Sequence, residues 1–128
     1  MRVLLDTHTA LWWVNEFEKL SPQAKALLMN DSYSLHLSIV SIWEIAIKSS
    51  LNKLPELRGG AKAFLAKVEE MPIELIAVEP RHVVAVEDLP FIHRDPFDRL
   101  LVGTAKADSM TILTADENIH KYDVQTVW

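Results

Sequence analysis

The sequence contains no cysteine and only three glycines, and each scarcity removes a class of function. Without cysteine there are no disulfides, no thiolate zinc sites and no cysteine nucleophiles. Three glycines are too few to build either a phosphate-binding P-loop or a dinucleotide-binding fingerprint. The histidines show no zinc-binding spacing, and no Gly-x-Ser-x-Gly elbow presents a serine nucleophile. The chemistry therefore has to come from other side chains.

Long hydrophobic runs are also missing. The opening segment 1–5 is interrupted at once by Asp6 and His8, so it does not reach the length of a signal peptide. No segment approaches the roughly 20 apolar residues that are needed to cross a bilayer. We therefore expect a soluble, cytoplasmic protein, and the absence of cysteine is compatible with that reducing compartment.

What is present is an alternation of strand-forming and helix-forming segments in a chain of 128 residues, of which 49% are hydrophobic. This size and composition predict a single domain over residues 1–128. Strands are predicted at 2–5, 33–37, 73–78, 111–114 and 125–127. Helices are predicted at 7–15, from Ser21-Pro22, from a cap at Ser38 or Ser41 to about 51, at 61–70, after Pro80, from Asp95-Pro96 to 107, and at 117–121. The alternation predicts an α/β fold with a parallel sheet covered on both faces.

Four carboxylates lie where these segments begin or end. Asp6 and Asp116 each follow a predicted strand, whereas Glu44 and Asp98 are predicted in the first turns of helices. Ligands of such sheets bind outside the carboxyl ends of the strands, so all four acids are expected at one edge. Charge beside a hydrophobic core is costly unless it is paired, and converging acids without matching bases favour a hard divalent cation.

Each acid also has a purely structural alternative. Asp6 and Asp116 can cap the helices that follow them. Asp98 falls near the positive end of a helix, where a carboxylate is favourable without any catalytic duty. Glu44 can form a salt bridge with Lys48, four residues further along the same helix. The set of four supports a functional site more strongly than any member does alone.

The charge distribution leaves a phosphate-bearing substrate open. The net charge of −5 is unfavourable for a nucleic-acid-binding protein. Between residues 45 and 68, however, five bases stand against one acid, Glu56. The alternative for any one of these bases is a solvated helix surface.

Four sequence blocks occur in the order that is typical of PIN-domain proteins. They are Leu4–His8, Ser41–Lys48, Asp95–Val102 and Leu113–Asp116. On these blocks the sequence resembles the VapC-type toxins of bacterial toxin–antitoxin pairs over essentially its whole length. The resemblance implies a three-layer sandwich with a five-stranded parallel sheet, and an endoribonuclease that depends on Mg²⁺ or Mn²⁺. It also implies a homodimer, an RNA substrate and a small VapB-like antitoxin.

The resemblance assigns the catalytic acids as Asp6, Glu44, Asp98 and Asp116. Within this quartet we interpret Asp6 and Asp98 as direct metal ligands and Asp116 as a ligand that binds directly or through water. Glu44 is interpreted as the residue that positions or deprotonates the attacking water, or that serves a second ion.

Neighbouring residues complete the expected site. Thr114 matches a hydroxyl that supports the acids, and Asp95 competes with Asp98 for the third acidic position. Asp98 is preferred because a helical run that begins with Arg99 follows it. Many relatives carry a small residue in place of Arg99, so its guanidinium is expected either to contact a substrate phosphate or to pair with Asp95. Lys48, one turn beyond Glu44, is a second candidate for binding phosphate.

Two other classes of function remain open. One is a metal-dependent phosphohydrolase that acts on DNA or on small phosphorylated molecules. The other is a non-catalytic, partner-binding PIN-like protein whose acids are structural caps.

Overall fold

The computed structural model describes residues 1–128 and contains five strands and seven α-helices. The strands are β1 (Arg2–Leu5), β2 (Ser34–Ser38), β3 (Glu74–Ile76), β4 (Thr111–Leu113) and β5 (Thr126–Val127). The helices are α1 (Thr7–Asn15), α2 (Pro22–Leu28), α3 (Ile39–Ser50), α4 (Gly60–Glu69), α5 (Pro80–Glu87), α6 (Pro96–Asp108) and α7 (Glu117–His120). Every predicted strand and helix is present, with ends displaced by a residue or two. None of the helices combines the length and hydropathy of a membrane span.

All five strands are parallel and lie in the order β3-β2-β1-β4-β5. The central strand β1 pairs Leu4 with His36 of β2 on one side and with Ile112 of β4 on the other. Its last three residues are completely buried, as expected of a parallel strand that is covered on both faces. The α/β architecture predicted from the sequence is confirmed.

Two hydrophobic cores lie on opposite faces of this sheet because successive strand side chains point to opposite sides. Val3 and Leu5 belong to one core, which also includes Phe64 of α4. Leu4 belongs to the other core, which also includes Leu101 of α6. Helices therefore cover both faces and form the three layers of a sandwich.

Side-chain caps begin five of the helices at defined residues. Ser21 caps α2 and Ser38 caps α3, so of the two serines considered for α3 it is the earlier one that starts the helix. Asp6, Asp95 and Asp116 cap α1, α6 and α7. Each capping side chain accepts backbone N–H bonds that the first helical turn would otherwise leave unpaired.

An ionic cluster fastens α5 to the end of α6. Asp108 accepts hydrogen bonds from Nε of Arg81 at 2.7 Å and from Nε2 of His82 at 2.7 Å. Nδ1 of His82 accepts a bond from the Glu79 amide, so the proton of the neutral ring lies on Nε2 and faces Asp108. The hydrogen bond from Arg81, assisted by His82, lowers the pKa of Asp108 to about 2.

Replacement of Asp108 by Asn should make the protein less stable at neutral pH but not at strongly acidic pH. The folded pKa lies below the ordinary value of 3.8, so the contribution of Asp108 is complete above about pH 4 and is lost as the pH falls towards 2. We expect a loss of about 1 kcal/mol at pH 7, because Arg81 is largely exposed and solvent screens the pair. Urea unfolding at pH 7 and at pH 2.5 measures this, with the exposed Glu87→Gln as control. An equal loss at both pH values would contradict the prediction.

Candidate active site

Asp6 and Asp116 lie side by side at the carboxyl edge of the sheet. They follow the paired strands β1 and β4, and the Asp6 amide donates to the Leu113 carbonyl at 3.2 Å. Thr114 links them, because its hydroxyl donates to Oδ2 of Asp6 and accepts a bond from the Asp116 amide at 2.9 Å. Burial raises the pKa of Asp6 despite the bonds from Thr114 and Thr9. The structure thus brings together three of the residues that the sequence singled out.

Both of these aspartates are also helix caps. Oδ1 of Asp6 accepts the Thr9 amide at 2.7 Å. Oδ1 of Asp116 accepts the amides of Asn118 at 2.8 Å and Ile119 at 3.1 Å, which leaves its Oδ2 outside the cap. The structural alternative is therefore real for both residues. Each cap uses only one oxygen of the carboxylate, so capping does not prevent the second oxygen from binding a ligand.

Glu44 lies in the second turn of α3, not in the first turn as expected, because the helix begins at Ile39. Its carboxylate is almost fully buried and is held at both oxygens. The Thr7 hydroxyl donates to Oε1 at 2.7 Å, and Nζ of Lys48 donates to Oε2 at 2.5 Å. Because the single proton of Thr7 faces the carboxylate, Ser41, 2.9 Å from the Thr7 oxygen, acts as the donor to it. The pair with Lys48, which was the structural alternative for Glu44, is present.

Asp98 is the point at which the negative charges converge. It is the third residue of α6, and Asp95 caps that helix by accepting the amides of Phe97 at 2.9 Å and Asp98 at 3.1 Å. The pKa of Asp98 is raised to about 8, first by burial and then by the nearby carboxylates. In decreasing order of effect, these carboxylates belong to Asp95, Asp116, Glu44 and Asp6. The other expected acids therefore lie within electrostatic range of Asp98.

Lys48 is a cation within this acidic cluster. Burial lowers its pKa, but the hydrogen bond from Lys48 to Glu44 and the negative charges of Asp95 and Asp98 raise it more, so the net shift is upward. Its ammonium group is therefore charged at neutral pH. This position next to the acids is compatible with the phosphate contact expected from the sequence.

Arg99 occupies a different environment from the one expected. It is only 7% exposed, and its NH1 donates to the Pro90 carbonyl at 2.8 Å and to the Tyr122 hydroxyl at 3.1 Å. Its NH2 lies 3.4 Å from the carbonyl oxygens of Val86 and Leu89. The last turn of α5 and the loop that follows it thus supply the acceptors that a buried guanidinium requires. This burial contradicts the expectation that Arg99 pairs with Asp95 or contacts a phosphate.

Two contacts of the acids were not anticipated from the sequence. Nε2 of His93 lies 3.2 Å from Oδ2 of Asp98, and the Thr7 hydroxyl donates to Glu44. The position of Thr7 directly after Asp6 was an available signal. No comparable signal existed for His93, since its contact depends on the course of the loop between α5 and α6.

The donor set fits a hard divalent cation, although the side chains do not enclose one. No three acidic or histidine side chains lie close enough together to surround a single ion. Mg²⁺, however, usually takes only one or two carboxylates directly and keeps several waters. The raised pKa of Asp98 also reflects negative charge that neighbouring bases leave uncompensated. Asp6, Asp98 and Asp116 therefore fit Mg²⁺ or Mn²⁺ in both ligand chemistry and charge.

A five-stranded parallel sheet with this acidic edge defines an α/β protein of the PIN type. The chain matches the PIN domain over residues 3–125 and belongs to that family. It is 26% identical over 121 residues to Ribonuclease VapC22 of Mycobacterium tuberculosis, a match that covers 94% of this chain and 91% of that protein. The resemblance to VapC-type proteins is confirmed.

Solved structures share the fold over nearly the whole chain. VapBC2 from Rickettsia felis, bound to a DNA fragment from its promoter, gives a TM-score of 0.74 at 12% identity and covers 99% of this chain and 98% of that one. DNA-bound VapBC from Salmonella typhimurium gives 0.71 at 14% identity and covers 99% and 97%. At these identities the two structures establish the fold alone.

Replacement of Asp98 by Asn should stabilise the metal-free protein. The folded pKa of about 8 lies above the ordinary 3.8, so ionisation of Asp98 destabilises the folded state increasingly as the pH rises from 4 to 8. We expect the free energy of unfolding at pH 8 to increase by roughly 2–4 kcal/mol, and the gain to disappear near pH 4. Denaturant unfolding with chelator measures this, with Asp123→Asn, an exposed acid, as control. A variant no more stable than the wild type at pH 8 would refute the prediction.

Replacement of Arg99 by Met should destabilise the fold, because it removes the donors of the buried Leu89 carbonyl and of the Tyr122 oxygen and one of the donors of the Pro90 carbonyl. We expect the free energy of unfolding to fall by about 2–4 kcal/mol. The same change at the exposed Arg94 of the α5–α6 loop should have little effect. Chemical denaturation of the two variants provides the comparison, and equal midpoints would argue against a structural role for Arg99.

Proposed function

We propose that this PIN-domain protein is an endoribonuclease that depends on Mg²⁺ or Mn²⁺, and that it is the toxin of a toxin–antitoxin pair. The observation that carries the proposal is the convergence of acids on Asp98, whose pKa is raised to about 8. Such clustered negative charge at the carboxyl edge of a parallel sheet is typical of a functional site. The ribonuclease from Mycobacterium tuberculosis, related along nearly the whole chain, supports RNA as the substrate.

The residues divide into ligands and a base. Asp6 and Asp98 would hold the ion directly, and Asp116 would hold it directly or through water. When bound, a divalent ion lowers the pKa of its water and neutralises phosphate oxygens. Glu44 would position or deprotonate the water that attacks the phosphodiester, or would serve a second ion. Thr114 keeps the Asp6 carboxylate in place through its hydrogen bond.

Lys48 is the proposed contact for a substrate phosphate. Its ammonium group lies at the acidic edge and is bound to Glu44. Exchange of that carboxylate for a phosphate oxygen would release Glu44 for work on the attacking water. Arg99 has no part in this step, because its guanidinium is buried against the loop.

A VapB-like antitoxin is the proposed partner, and we propose that residues 1–128 form a single domain that pairs as a homodimer in the cytoplasm. The support comes from solved relatives of the same fold, which are VapBC complexes from Rickettsia felis and Salmonella typhimurium.

Purified protein should cleave structured RNA when Mg²⁺ or Mn²⁺ is present and should not do so in chelator. DNA of the same sequence and free nucleotides should remain intact. Asp98→Asn should lower kcat/KM by roughly 100-fold or more while the protein stays folded, and Asp123→Asn should not. Cleavage of DNA or nucleotides in preference to RNA would favour the phosphohydrolase alternative. If Asp6→Asn and Glu44→Gln change stability and the wild type shows no metal-dependent cleavage, the acids are structural caps.

A growth assay tests the toxin role separately. Expression of the chain should arrest growth, and both Asp98→Asn and co-expression of a small protein encoded immediately upstream should relieve the arrest. Undiminished toxicity of a folded Asp98→Asn variant would show that the site assignment is wrong.

A further inference from the structure

A series of hydrogen bonds runs from the interior of the protein to Asp98. NH1 of Arg99 donates to the Tyr122 hydroxyl oxygen at 3.1 Å. The same hydroxyl lies 2.8 Å from Nδ1 of His93. Nε2 of His93 lies 3.2 Å from Oδ2 of Asp98. The series therefore joins the buried arginine to an expected metal ligand through two intervening side chains.

The donors and acceptors that each side chain offers set the direction of the bonds in the series. A guanidinium has donors but no acceptor, so the Tyr122 oxygen must accept from Arg99. The buried Tyr122 hydroxyl has no partner besides Arg99 and His93, so its single proton is given to Nδ1 of His93. Because Nδ1 accepts, the proton of the neutral imidazole lies on Nε2, where it faces the Asp98 carboxylate. The series thus presents an N–H donor to the acid at its end.

The series is anchored firmly at its far end. Arg99 and Tyr122 are 7% and 3% exposed, and the guanidinium is also bound to the carbonyls of Val86, Leu89 and Pro90. The His93 side chain is itself mostly buried. Side chains fixed in this way hold a terminal donor in one position, which is how outer residues orient metal ligands.

We propose that His93 is a positioning residue for Asp98, and that Tyr122 and Arg99 fix the tautomer in which it works. Its Nε2–H holds Oδ2 of Asp98 and leaves Oδ1 as the oxygen available to a divalent ion. This inference rests on the proposed function, because it requires Asp98 to be a metal ligand.

A purely structural role makes a different prediction. If the series only fastens the α5–α6 loop and the segment after α7 to α6, the bonds from Arg99 to the backbone carbonyls are sufficient. Loss of the Tyr122 hydroxyl would then reduce stability slightly and would leave His93 and metal binding unchanged.

The tautomer of His93 can be read without any activity measurement. At pH 8.5, histidine ¹⁵N NMR of the wild type should show His93 as the Nε2–H form. Tyr122→Phe removes only the hydroxyl and should produce a mixture with the Nδ1–H form. Tyr33→Phe is the matched control, since that hydroxyl makes no hydrogen bond within the protein, and it should leave the His93 signals unchanged. A wild-type His93 that carries its proton on Nδ1 would overturn the inference.

Metal affinity provides the second readout. Calorimetric titration of the metal-free protein with MnCl₂, in the absence of RNA, should show binding that is about 10- to 100-fold weaker in Tyr122→Phe and in His93→Leu. His93→Gln, whose amide can donate to Asp98, should recover part of the loss, and Tyr33→Phe should match the wild type. Equal affinity in wild type and Tyr122→Phe would overturn this inference alone. A wild type that binds no Mn²⁺ would contradict the metal site of the proposed function and this inference with it.

Discussion

Repulsion among the carboxylates at the carboxyl edge of the sheet is the constraint on which the rest of the site depends. Asp98 is largely buried, and nearby negative charges raise its pKa further. These charges belong to Asp95, Asp116, Glu44 and Asp6. A chain under selection for stability alone would not gather these groups, because each ionised neighbour increases the free energy of the others. Protonation of Asp98, whose pKa is raised to about 8, relieves this repulsion, and a ligand of opposite charge would relieve it as well.

Helix caps are the means by which the fold holds this unfavourable arrangement together. Asp6, Asp95 and Asp116 each fix one carboxylate oxygen with backbone N–H bonds from the first turn of a helix. Those bonds are short and rigid, and the positive end of each helix partly offsets the negative charge. The structural and functional interpretations of these acids are therefore complementary. A cap orients the carboxylate, and the oxygen outside the cap remains available.

The predictable part of the molecule is the part that depends on local sequence. Apolar runs identified the strands, Pro and Asp at helix starts identified α6, and the ends of β1 and β4 placed Asp6 and Asp116 side by side. Glu44 lies one turn further along than expected, because the sequence left Ser38 and Ser41 open as caps and it is Ser38 that accepts the Val40 amide and starts the helix. Glu44 nevertheless lies near the carboxyl ends of the strands, as the expected ligand position in a parallel sheet predicts.

The environment of Arg99 could not be predicted because it is built from distant segments. Its partner Tyr122 lies 23 positions further along the chain, and its carbonyl acceptors belong to a loop whose course no periodic pattern specifies. A charged residue next to a site acid is easily interpreted as a substrate contact. Residues 98 and 99, however, are about 100° apart around a helix, so the two side chains point in different directions, and Arg99 faces the loop carbonyls.

Because Arg99 faces the interior, its guanidinium donates to the Tyr122 hydroxyl, which a small residue at position 99 could not do. With a small residue, the Tyr122 hydroxyl would lose its fixed donor and would be free to donate or accept, and both tautomers of His93 would then be accessible. Arg99 thus holds the Tyr122 oxygen as an acceptor and leaves the Tyr122 proton for Nδ1 of His93. The three side chains behave as one unit, and the energetic effects of changing them individually cannot be independent of one another. Arg99 is therefore tied to two other residues, and the three side chains form one series that ends on the Asp98 carboxylate.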